Sequence, residues 1–122
     1  MHIDWQVYRV AERVIVGLAT EDGVMDVVTT VDSIRAGIAL LGSSPALWQE
    51  MVLGSFSDSP VSLNVRMNVA CLWVEGPDFD STRCTSVSRS FDREMLQATL
   101  QAVMTALESF PPEGGSSEGG SA

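Results

Sequence analysis

The chain of 122 residues contains no lysine. Without an ε-amine, Schiff-base catalysis and the P-loop lysine are both excluded. Arginine supplies all seven of the basic residues against 16 acidic ones, for a net charge of −9. Nucleic-acid binding needs a basic face that neutralises phosphates, and an anionic membrane surface attracts the same sign of charge. Neither partner is expected. Histidine occurs once, as His2, where an incidental role is expected rather than that of a general base. Two cysteines, Cys71 and Cys84, are too few for a disulfide scaffold and lack CxxC metal spacing. No apolar run approaches the roughly 20 residues that span a bilayer. The opening MHIDWQVYRV has no basic stretch leading into an apolar one, so no secretory signal is read and a cytoplasmic protein is expected.

Catalytic signatures are missing too. There is no GxSxG elbow, HExxH, GxGxxG or P-loop. Asp78 and Asp80 in GPDFDS, like Asp22 and Asp26, offer hard oxygens to a divalent cation, but paired carboxylates in an acidic loop read as solvated. Neither a metal nor a cofactor is expected, and the chain reads as a non-enzyme.

What is present is patterned apolar sequence. In FDREMLQATLQAVMTALESF, Leu96, Leu100, Val103, Leu107 and Phe110 recur at spacings of three and four, which lines one face of a helix over 91–110. Ser90 or Asp92 caps it, Glu94 complements its dipole, and Pro111-Pro112 stops it. Thr20-Glu21-Asp22-Gly23 between apolar runs predicts a hairpin near 13–30. Residues 4–12 fit a strand or a helix, but the lack of Pro, Asn and Asp from Trp5 to Ala19 argues against a turn within that segment. Thr30 or Asp32 caps a helix from Ser33, and Ser44-Pro45 reads as a fresh cap with Pro at the first helical position. The expectation is a broken helix over 33–54, with Leu47, Met51 and Val52 facing inward.

From Val61 to Trp73 every second residue is apolar, the pattern of a strand over 61–74 with one face in the core. From Ala70 the other face turns apolar as well. A weaker strand over 82–90 follows and suits a sheet edge. A hairpin centred near Pro77-Asp78 would set Cys71 opposite Cys84, as two free thiols in a reducing compartment. The fold class is therefore α+β: a small antiparallel sheet (the hairpin near 13–30 and strands 61–74 and 82–90) packed by the broken helix 33–54 and a C-terminal helix 91–110. Residues 1–111 make one domain, and 112–122, rich in Gly, Ser and Glu, read as a disordered tail.

The order strand, EDG hairpin, helix, long strand, strand and terminal helix resembles roadblock-type dimerisation domains. The ending, CLWVEG followed by a short strand and FDREMLQATLQAVMTAL, is similar to acidic secretion chaperones. Both resemblances imply a small acidic adaptor that binds protein; neither carries functional residues over. The leading expectation is a protein-interaction module, adaptor or chaperone-like, that forms a homodimer. Its interface is placed at Leu72, Trp73, Val74 and Phe79, where the strand is apolar on both faces. An immunity-type inhibitor of a basic protein is the alternative, because acidic charge would complement such a target. A small-ligand binder or an enzyme without a recognisable motif stands behind both.

Overall fold

The computed structural model describes residues 2–21, 23–75 and 86–109. Phe79, Cys84, Phe110 and the segment 112–122 lie outside them. The elements run β1 (Asp4–Val10), β2 (Arg13–Thr20), β3 (Gly23–Thr29), α1 (Val31–Ser43), β4 (Gln49–Phe56), β5 (Ser59–Arg66), β6 (Val69–Glu75), β7 (Ser86–Asp92) and α2 (Arg93–Glu108). Each strand pairs antiparallel with the next, giving a seven-stranded sheet in chain order, and the fold is α+β as expected.

Alternation in the strands decides which face the helices cover. Val14, Val16 and Leu18 of β2, Met25 and Val27 of β3, and Val61, Leu63 and Val65 of β5 are buried. They meet Ile34 and Leu41 of α1 and Leu96, Leu100, Val103 and Leu107 of α2 in one core. Each fully buried aliphatic side chain removes apolar area worth about 1.5–3 kcal/mol from water. The α2 stripe is thus the one predicted from spacing, with Asp92 as the cap: its carboxylate accepts from the Met95 amide at 3.1 Å. Thr30 caps α1, accepting from the Ser33 amide at 3.2 Å. Helix α2 touches β1 as well as β6 and β7, so it bridges the first strand and the last two.

The hairpin of β2 and β3 forms as expected, with Thr20 paired to Gly23 across the turn. Gly23 sits at φ 128°, a conformation that a residue with Cβ rarely adopts. Residues 4–12 resolve into β1, which turns into β2 at Ala11-Glu12 against the expectation of an unbroken segment. Ala11 takes φ 56°, so the turn is made by a residue that carries no turn signal.

Two further expectations are corrected. The second half of the broken helix is strand β4. Ser44 is the left-handed C-cap of α1 and Pro45 follows it, a common place for a residue that cannot continue a helix. The Met67 amide donates to the Pro45 carbonyl at 2.7 Å and the Ser44 hydroxyl donates to the Met67 carbonyl at 3.0 Å, so the segment docks on a hairpin instead of coiling. Leu47 and Val52 are exposed, while Met51 is half-buried against the core.

The long strand 61–74 is in turn two strands, β5 and β6, reversed at Met67-Asn68, with Met67 at φ 53°. In β6 the inward residues are Ala70, Leu72 and Val74, all buried. What reads as a second apolar face is the core face after the turn has shifted its phase. Strand β7 is the sheet edge, as expected, but its register pairs Cys71 with Ser90 rather than with Cys84.

Between β3 and β4 the ladder narrows to one registered pair, Val28 with Ser55. A bulge between Val52 and Gly54 displaces β4 there. Thr29 compensates by donating its buried hydroxyl to the Leu53 carbonyl. The backbones run so close that a Cβ on Gly54 would overlap the Val28 carbonyl oxygen.

Candidate functional site

Both helices pack on one face of the sheet, and the other face carries the side chains of opposite phase. On β4 to β7 the register builds two rows across that helix-free face. One row runs Val52, Ser62, Trp73, Ser88 and the next runs Glu50, Asn64, Cys71, Ser90. Directly opposed residues of an antiparallel pair share a face and sit about 5 Å apart. Trp73 therefore stands between two serines, too short to cover its ring, and it is 43% exposed. Val52 and Val69 are exposed on the same face.

Trp48 enters from just before β4 and is 51% exposed. Its approach is fixed by the contacts of Ser44 and Pro45 with Met67, which hold the segment against the β5–β6 turn. Trp48, Glu50, Asn64, Cys71 and Trp73 together line a hollow of about 300 Å³. Two indoles supply apolar walls, while one carboxylate, one amide and one thiol supply polar groups. The thiol of Cys71 is directed to the Leu72 carbonyl at 3.8 Å.

Of the four residues expected at a partner surface, only Trp73 presents its side chain to solvent among the described residues. Leu72 and Val74 are core, and Phe79 lies outside the described residues. Trp48 and Glu50 were hidden from sequence reasoning because helical spacing was assigned to a strand. Read with period two, they fall on one face, and that face is shared with Asn64 and Trp73.

Two other hollows differ in character. One of about 670 Å³ lies on β1 to β3 and is lined by Asp4, Gln6, Gly17 and Asp26 among others. It exists because Gly17 has no side chain between its cross-strand neighbours Gln6 and Asp26, and the exposed His2 at its rim bonds Asp4 at 2.9 Å. The other, about 390 Å³, lies at the start of α1 with Arg13, Thr30 and Ser33. The Thr30 hydroxyl is engaged with Ser33 in capping the helix.

Among the described residues no three of His, Cys, Asp and Glu converge in a metal-binding group. His2 bonds Asp4 at the start of β1, while the Cys71 thiol on β6 is directed to the Leu72 carbonyl, so these two do not pair as base and nucleophile. No described helix is long and apolar enough to cross a membrane. Comparison of the chain with protein-family models, with curated proteins and with solved structures yields no match.

Proposed function

We propose that this chain is a non-enzymatic protein-interaction module that receives its partner on the helix-free face of β4 to β6. The observation that carries the reading is the pair of half-exposed indoles, Trp48 and Trp73, walling one hollow with exposed Val52 and Val69 on the same face. Tryptophan is enriched among residues that dominate binding energy, because a rigid ring buries much area at low entropic cost. Neither indole contributes to the core cluster. Leu72 and Val74 belong inside, so β6 offers a partner its outward side chains and not a second apolar face.

Oxidative footprinting of the tryptophans tests this, with the chain alone and in complex with whatever protein co-purifies from its host. Trp48 and Trp73 are expected to lose reactivity on binding, while Trp5, packed against the core, stays unchanged. A stable complex in which both outer indoles keep full reactivity refutes the reading. Protection that grows with the concentration of the chain alone identifies the partner as a second copy.

A further inference from the structure

We infer that the hollow between Trp48 and Trp73 receives an arginine side chain of the partner, an inference that rests on the proposed docking face. The chemistry of the lining selects the guest. A guanidinium is planar and weakly hydrated, so it stacks on an indole face and still presents N–H groups at its edge. Glu50, on the row beside Trp73, accepts those N–H groups, and a carboxylate can take two of them side by side. The Asn64 carbonyl, directly across from Glu50, adds a further acceptor. Among the described residues no cation is ion-paired with Glu50.

Charge favours the same guest. At −9 the chain attracts a basic segment over several ångströms before contact. An acidic guest would meet Glu50 unscreened, and a purely apolar one would desolvate that carboxylate without replacing its hydrogen bonds. A competitor belongs to the chain itself. Arg66 is exposed at the end of β5, two residues beyond Asn64 and on the same face, but it does not line the hollow.

The test uses the full chain with ¹⁵N-labelled tryptophan and a short Gly/Ser peptide bearing one arginine. Its twin carries citrulline, which has the same shape without the charge. Three indole N–H signals are expected, one per tryptophan. The arginine peptide should move those of Trp48 and Trp73 and leave Trp5 in place, and the response should weaken as salt is raised. Glu50→Gln should loosen binding by up to about fivefold, the worth of an exposed ion pair. Trp73→Ala should loosen it between about twofold and thirtyfold, the span of a cation over an indole from exposed to desolvated, while the chain stays folded, and Arg66→Ser should tighten it.

Equal shifts from the citrulline peptide would overturn the arginine assignment while leaving the docking face standing. Silence of both indoles towards both peptides at millimolar concentration would overturn it too. The docking face falls only if the footprint of the bound partner lies elsewhere. Shifts in the free chain that grow with its own concentration, and vanish in Arg66→Ser, would replace the partner's arginine with that of a second copy.

Discussion

The guanidinium of Arg93 donates from Nη1 to the carbonyl oxygen of Leu41 at 2.8 Å. Leu41 lies in the last turn of α1 and Arg93 begins α2, so one side chain closes the end of one helix from the start of the other. Helix α1 has no basic residue in its last turn, and its terminal carbonyls need donors from elsewhere. The same Nη1 reaches Gln97 at 3.4 Å, and the Arg93 amide donates to the Asn68 carbonyl at 2.9 Å. The Ser44 amide also donates to the Leu41 carbonyl, at 3.4 Å, so Arg93→Ala is expected to destabilise the fold by about 1.5–3 kcal/mol, the range for a hydrogen bond from a charged donor. Arg93→Lys should recover part of the loss. Urea denaturation of the three proteins measures both effects, and a loss below about 0.5 kcal/mol in Arg93→Ala would contradict the assignment.

Gly54→Ala places a methyl group against the Val28 carbonyl, which is backbone and cannot rotate away. Overpacking of this kind costs about 1–3 kcal/mol. The upper end is expected here, because the contact falls at the single registered pair that joins β3 to β4. For a domain of this size the melting temperature should fall by more than about 5 °C, and a thermal melt followed by circular dichroism reads it directly.

The phase of β6 is checked by two neighbouring substitutions. Leu72 has no exposed surface, whereas Trp73 points the other way and is nearly half exposed. Leu72→Ala should cost about 2–5 kcal/mol through lost transfer energy and a residual cavity. Trp73→Ser should cost about 1 kcal/mol or less, as surface changes do. Similar losses at the two sites, measured in the same denaturant series, would mean that the turn at Met67 is misplaced.

At Met67 the backbone holds φ 53° with an unbranched side chain that is 54% exposed. The left-handed region costs an ordinary residue about 1–2 kcal/mol, and asparagine tolerates it better through local hydrogen bonding. Met67→Asn is therefore expected to stabilise the chain by up to about 1 kcal/mol. The backbone bonds of Met67 to Ser44 and Pro45 are kept, so a fall in melting temperature would count against the argument.

These turns explain what was readable in the sequence and what was not. The hairpin at Glu21 carries its glycine at 23, Thr30 begins α1 as a capping residue should, and the α2 stripe has unbroken helical spacing; all three were legible. The turns at Ala11 and at Met67 place residues other than glycine at positive φ, so the chain reverses without the usual marker. At Met67 a second coincidence compounds the first. The inward residues of β5 are 61, 63 and 65 and those of β6 are 70, 72 and 74, but the outward residues 69, 71 and 73 are Val, Cys and Trp. The apolar odd positions continue straight through the reversal and imitate one long strand. The candidate site was lost for the same reason, because Trp48 and Glu50 share a face with Trp73 only once 49–56 is recognised as a strand.

The contact of α2 with β1 bears on how the chain reaches this state. Every strand from β2 onward pairs with the strand before it, although α1 intervenes between β3 and β4, so the sheet forms between segments that are neighbours in the chain; such local topologies fold quickly. The core is another matter. Leu96, Leu100, Val103 and Leu107 come from the last element, and a chain emerging from the ribosome makes them last. Until then only α1 covers the sheet's inner face. Docking of α2 is the event that dries the core, and a chain cut before Arg93 would keep only α1 over the sheet.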